Sequence, residues 1–362
     1  MLYHLLLPLR DTYTVFNVFR YITFRTAYAT LTALLIGLLI GPWLIRRLRE
    51  IKIGQSIREE GPASHLSKAG TPTMGGILIV IAVVVPTLLW ADLSNRFVWL
   101  AVANTVAFAV VGFFDDWAKL RKKRNLGLSG KSKLALQATI ALASATCLYM
   151  WAADGSFSTQ IGVPFFKGLR PDLGLYYVPF AMLLLVGTSN AVNLTDGLDG
   201  LAAGASLMAS ATYCVFAYVA GNYALADHLS IYRVPEAAEL TIFLGAMVGA
   251  TLAFLWFNAH PAEVFMGDTG SLALGGAIGT AALLVKQELL LVLVGGLFVM
   301  EALSVAIQVV VFQTMGGKRF FKMAPLHHHF EHLGWPETKV VIRFWILCII
   351  FSLLALSTLK LR

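Results

Sequence analysis

The chain has 362 residues, 58% of them hydrophobic and only 13% charged, with a mean hydropathy of +0.74 and a formal net charge of +8. These proportions exclude an ordinary soluble protein and point to a polytopic membrane protein; the positive charge is expected to serve membrane topology, not a nucleic acid. Apolar runs continue from end to end without a Pro/Ser-rich linker, so residues 1–362 read as a single membrane-embedded domain. Cys147, Cys214 and Cys348 each fall inside an apolar run, with neither paired nor CxxC spacing, and read as packing residues. Met1 to Tyr21 lacks the basic start and unbroken apolar core of a cleavable signal peptide.

Ten apolar segments follow, at about 23–45, 75–91, 97–114, 134–152, 175–192, 201–221, 239–257, 272–285, 289–313 and 341–359. They predict an all-α polytopic integral membrane protein with about ten transmembrane helices and both termini on one side. The eighth is short for a full span. The ninth carries Gly295, Gly296 and Glu301, which predicts tilting or breaking there; an acid inside a span costs roughly 2.5–3.5 kcal/mol and must face protein or water. Loops after segments 1, 3 and 9 hold 17 of the 28 Lys and Arg residues, so loops after odd-numbered segments are expected to be cytoplasmic and both termini periplasmic. Of the opposite loops, residues 154–173 suggest a short hairpin and 222–238 a surface helix.

The unusual polar stretches all fall in the basic-side loops. The first is SHLSKAGTPTMGG, with Lys68 before a glycine-rich helix start. Asp115 and Asp116 stand side by side after segment 3; about 100° apart if helical, they are suited to different tasks. In NAVNLTDGLDGL, Asn190, Asn193, Asp196 and Asp199 recur every third residue, a step of about 60° that cannot keep them on one face of a straight helix. Gly197 and Gly200 let a loop fold the carboxylates toward one point, giving a helix end, a loop and a helix start. Residues 257–276 add Asn258, His260, Glu263, Phe265 and Asp268, and residues 325–335 add His327, His328 and His329.

Carboxylates among many lysines suit a magnesium ion and a phosphorylated substrate. Asp116, Asp196, Asp199 and Asp268 are the required ligand types, and Lys68, Lys131 and Lys133 can neutralise phosphate oxygens. Each has an ordinary alternative. A lone Asp or Thr caps a helix, adjacent acids at a helix end are solvated, and the run Lys119 to Arg124 is explained by topology and anionic lipid. Three consecutive histidines do not converge on one zinc ion as i, i+4 spacing does, so a phosphate-contacting or structural role suits them better. Phe265 can stack on a base or sit as an interfacial aromatic; an isolated loop histidine such as His260 is ordinarily just hydrogen-bonded.

DDWAK at 115–119, NAVNLTDGLDGLA at 190–202, FNAHPAEVFMGDTGSLALGG at 257–276 and PLHHHFEHLGW at 325–335 closely resemble the bacterial phospho-N-acetylmuramoyl-pentapeptide transferases, within the polyprenyl-phosphate N-acetylhexosamine-1-phosphate transferase superfamily. The resemblance covers nearly the whole chain. It implies transfer of phospho-N-acetylmuramoyl-pentapeptide from its UDP-linked donor to undecaprenyl phosphate, giving lipid I and UMP, with Mg2+, at the cytoplasmic face of the bacterial inner membrane. By the same resemblance, Asp268 is the magnesium ligand and Asp115 the base that deprotonates the lipid phosphate. Asp116 is a second essential acid near the phosphates, and Asn190, Asn193, Asp196 and Asp199 form the nucleotide and metal loop, with Asn258 nearby. Lys68 and Phe265 are implied at the uridine, Lys133 at a phosphate, His327, His328 and His329 beside the diphosphate or sugar, and a homodimer as the assembly. Direct attack by the lipid phosphate and a covalent aspartyl intermediate are both open. The nearest rival is the same chemistry on another UDP-N-acetylhexosamine, against which the triple histidine counts. A transporter is disfavoured because the acids gather at one face and no inverted repeat is visible.

Overall fold

The computed structural model describes residues 1–51, 70–122, 127–166 and 168–360. In chain order its α-helices are α1 (Leu2–Leu6), α2 (Ile22–Glu50), α3 (Gly76–Trp90), α4 (Arg96–Lys122), α5 (Gly130–Ala153), α6 (Tyr177–Thr195), α7 (Leu201–Gly221), α8 (Tyr223–Leu229), α9 (Leu240–Asn258), α10 (Gly267–Leu284), α11 (Leu291–Val294), α12 (Gly296–Thr314), α13 (Leu326–Glu331) and α14 (Glu337–Ser357). All ten predicted segments are helical. Eight helices among the described residues are long and apolar enough to cross a membrane, and α3 is a shorter apolar one. Without water to satisfy them, backbone groups in lipid must pair within each span, which is why the spans are helices; outside them Gln160 and Asp172 form an isolated bridge. That bridge closes the expected hairpin; the expected surface helix at 222–238 is reduced to α8 and a 3-10 turn at Pro235–Glu239.

The core is built around α10, whose residues Thr269 to Leu284 are all buried. It packs on α4, α6, α3 and α7, while α9 packs on α2, α7 and α3. Small residues allow this density, since lipid gives apolar side chains no drive to associate and close backbone approach does the work. Gly112 of α4 is one such contact, where a Cβ would overlap the Asp268 carbonyl oxygen.

Two helices are longer than the apolar runs that announced them. Helix α4 continues past Asp115 and Asp116 to Lys122, and α10 begins at Gly267, placing Asp268 in its first turn. The predicted break in segment nine falls at Gly295, between α11 and α12. Helix α12 buries Gly296, Leu297, Phe298, Glu301 and Ser304 and nothing after them. Because consecutive spans are antiparallel, one end of the bundle collects the C-termini of α4, α6 and α9 and the N-termini of α5, α7, α10 and α14.

Candidate active site

Six side chains converge at that end. Asp115, Asp116 and Lys119 come from the last turns of α4, Lys133 from the first turn of α5, Asn193 from the last turn of α6 and Asp268 from the first turn of α10. One oxygen from each of Asp115, Asp116 and Asp268 lies within 4.8 Å of the others. The Lys119 ammonium reaches all three carboxylates, at 2.6, 3.5 and 3.2 Å respectively. Lys133 donates to Asp268 Oδ2 at 2.6 Å and to Asn193 Oδ1 at 3.2 Å. Asn193 donates to Asp268 Oδ1 at 3.0 Å and to Ser271 Oγ at 2.8 Å, fixing the carboxylate from its other side.

The two adjacent acids face different ways, as their helical offset predicts. Asp116 accepts the backbone N–H groups of Asp268 and Thr269, at 3.2 and 3.0 Å, and the Thr269 hydroxyl at 2.8 Å. It thus caps α10 from a neighbouring helix, satisfying first-turn donors that have no partner within their own helix. Asp115 accepts the Leu128 N–H at 3.0 Å and turns its other oxygen to Lys119.

Three carboxylates against two ammonium groups leave negative charge concentrated at one point. Oxygen-only donors of this kind fit a hard divalent cation such as Mg2+, and among the described residues no His or Cys joins the cluster to favour zinc. Asp116 is committed to the backbone of α10, whereas Asp115 and Asp268 each turn an oxygen to Lys119 or Lys133, the position a cation would take over.

The other predicted residues divide. Asp196 lies in the loop after α6; desolvation, and then the negative charges of Asp268 and Asp116, push its carboxyl up to about 8. Asp199, three residues on, does not join the cluster: its Oδ2 accepts from Ala262 N at 3.2 Å and lies 3.0 Å from His260 Nδ1. Asn190 is turned away too, donating to Gln137 Oε1 at 2.8 Å and tying α6 to α5. Asn258 staples two loops, accepting from Gly200 N at 3.0 Å and donating to Val264 O at 2.9 Å. Phe265, half-buried, is held through its backbone, which donates to Pro72 O and accepts from Gly75 N.

The three histidines also separate. His327 is buried, its Nδ1 lies 3.3 Å from Glu301 Oε1, and its Nε2 points at Gly197, where a Cβ would overlap it. Glu301 thereby has the protein-facing environment that an acid in a span requires. His328 pairs with Glu331 at 2.8 Å, and His329 accepts the Lys322 N–H at 3.1 Å, so neither points at the carboxylates through these contacts. Lys68 lies outside the described residues.

Lys119 is the residue that sequence reasoning missed, because a run of five basic residues in six positions is already accounted for by topology. Its offset was the available signal: one turn after Asp115, it shares their helix face.

A model of glycosyl transferase family 4 matches residues 98–286, and the phospho-N-acetylmuramoyl-pentapeptide-transferase signature 1 matches residues 68–80. Proteins named phospho-N-acetylmuramoyl-pentapeptide-transferase from Desulfatibacillum aliphaticivorans, Syntrophus aciditrophicus (strain SB) and Koribacter versatilis (strain Ellin345) are 59%, 57% and 56% identical to this chain. Each comparison covers 100% of both chains. Full-length identity at this level, the signature at 68–80 and a carboxylate cluster at the ends of membrane-spanning helices lead to one assignment: the chain belongs to the phospho-N-acetylmuramoyl-pentapeptide-transferase family.

Proposed function

We propose that the chain, acting as one membrane-embedded unit, transfers phospho-N-acetylmuramoyl-pentapeptide from its UDP-linked donor to undecaprenyl phosphate, giving lipid I and UMP. The observation that carries this reading is the cluster of Asp115, Asp116, Asp268, Lys119 and Lys133 at one end of the helix bundle. A soluble, highly charged nucleotide can reach that end from water while a lipid phosphate reaches it along the bilayer, which suits a site at the cytoplasmic face.

Asp115 accepts the proton of the lipid phosphate, and Lys119 steadies the resulting oxyanion beside it. That oxygen attacks the β-phosphorus of the donor; the new P–O bond forms as the bond to the bridging oxygen breaks, and UMP leaves. Asp268, oriented by Asn193 and Lys133, would hold a divalent cation with Asp115 beside it, and Mg2+ there would offset charge on the diphosphate. Asp116 keeps Asp268 in place by capping α10. Lys133 meets phosphate oxygens, and the loop carrying Asp196 faces the nucleotide. The charged oxygen is already fixed near the phosphorus, so direct attack is sufficient without an aspartyl intermediate. The apolar outer half of α12, with Leu303, Val310 and Phe312 exposed, suits the polyprenyl tail. The family resemblance also supports a homodimer, for which native mass spectrometry in detergent is the check.

Purified protein with magnesium and undecaprenyl phosphate should release UMP from UDP-N-acetylmuramoyl-pentapeptide and not from UDP-N-acetylglucosamine. Release only from UDP-N-acetylglucosamine would move the protein to another branch of the superfamily. Release from neither, by folded protein, would sink the reaction.

A further inference from the structure

The loops at 196–200 and 259–266 flank the carboxylate cluster but have no helix or sheet ladder to hold them. Three of their backbone donors, those of Asp199, Gly200 and Ala262, are met by side chains. One of those side chains comes from a third element, 138 residues away: Glu337, in the first turn of α14, accepts the Asp199 N–H through Oε1 at 2.8 Å. Its Oε2 lies 3.6 Å from Nδ1 of His260, which is itself 3.0 Å from Asp199 Oδ2. Asp199 closes the knot by accepting the Ala262 N–H. The Glu337 and Asp199 side chains are 7% and 2% exposed, whereas His260 is 42% exposed and forms the solvent side.

We infer that Glu337 is a positioning residue for the nucleotide donor, acting through Asp199 and His260 to set the two loops against each other. This rests on the proposed transfer reaction. Glu337 contributes no atom to the Asp115, Asp116 and Asp268 cluster, so it acts on reacting groups only through the loops. The knot is three residues from Asp196 on one loop and five from Phe265 on the other. Those are the surfaces a water-borne nucleotide meets, while the lipid phosphate arrives from the bilayer. Losing Glu337 should therefore weaken binding of one substrate and spare the other. Both of its oxygens are used, which accounts for a carboxylate here.

The test measures UMP affinity by calorimetry, and kcat with both KM values, for the full chain and for Glu337→Ala, Glu337→Gln and His260→Ala. The wild type should bind UMP. Glu337→Ala should weaken UMP binding and raise the donor KM by about tenfold, the effect of losing a hydrogen bond to a charged group. The KM for undecaprenyl phosphate and kcat should stay within about twofold. Glu337→Gln keeps an acceptor for the Asp199 N–H and should recover most of the affinity. His260→Ala removes a half-exposed ring and should weaken UMP binding about threefold without unfolding the protein. Equal rises in both KM values, a kcat loss as large as the KM change, or wild-type UMP affinity in both Glu337→Gln and His260→Ala with no loss in Glu337→Ala would overturn the inference. If Glu337→Ala does not fold, unchanged UMP affinity in His260→Ala overturns it. UMP binding that is abolished by a chelator, restored by zinc and not by magnesium, and indifferent to zinc in His260→Ala would make the three residues ligands and overturn it as well. Wild type that binds UMP but releases none would count against the reaction alone; wild type that does not bind UMP would remove both.

Discussion

The two ends of the helix bundle handle charge in opposite ways. Away from the site, Arg25 forks onto both oxygens of Glu239, at 2.7 and 2.6 Å, and Glu239 also accepts the Asp92 N–H at 2.8 Å. Near the far end of α10, Lys286 pairs with Glu288, and the Tyr177 hydroxyl donates to that carboxylate at 2.9 Å. There each cation has its own acid. At the carboxylate end, one ammonium serves three acids and Asp268 is shared between two ammonium groups. Matched pairs spend their field on each other and fasten helices, while a mismatched cluster keeps its field for an incoming ion or phosphate.

The sharpest way to break that distinction is to neutralise one acid at each end. Asp268→Asn should lower kcat for UMP release by about 10³-fold or more, with thermal unfolding in detergent little changed. Normal turnover in that variant would dissolve the distinction. Glu239→Ala should do the reverse, leaving an uncompensated buried Arg25. Stability should fall by about 3–5 kcal/mol, read by the unfolding midpoint, while activity per folded molecule is kept. Lys119→Ala should reduce kcat by about 10²-fold; a loss of stability alone would return Lys119 to the topology signal. Gly197→Ala drives a methyl into His327, so activity should fall about tenfold as the buried ring shifts, an effect of displaced geometry. The smallest change in activity belongs to Asn190→Ala, within about threefold, because its amide faces Gln137 and not the carboxylates; its cost is in stability, about 1–3 kcal/mol, from leaving the buried Gln137 amide without its partner.

Much of this was legible from spacing and polarity. Every one of the ten apolar runs is helical, Gly295 beside Gly296 marked the break that makes two helices of the ninth, and a 100° step separated the tasks of Asp115 and Asp116. Periodicity reports which groups are near in sequence and does not say which way a loop turns, so it could not separate Asp199 and Asn190 from Asn193. Asp199 meets Glu337 and His260, residues whose types are common and whose positions lie 138 and 61 residues away. Asn190 stands a turn below Asn193 on α6, with its amide on Gln137. Lys119 was hidden by its neighbours, since a basic residue in a basic run carries little information until its helix face is known.

The outer half of α12 has a mechanical meaning. A helix that buries nothing beyond Ser304 can bend there without uncovering any of the core, tethered by the hydrogen bond from the Phe321 N–H to Gln308 Oε1 at 2.9 Å. The carboxylates, by contrast, sit on α4 and α10, and α10 is buried from Thr269 to Leu284. Passage of a long, slippery chain and placement of a phosphorus atom to within fractions of an ångström make opposing demands on a protein. Here the compliant member and the rigid one are different helices, so a bulky product can depart sideways while the reaction centre stays set for the next turnover.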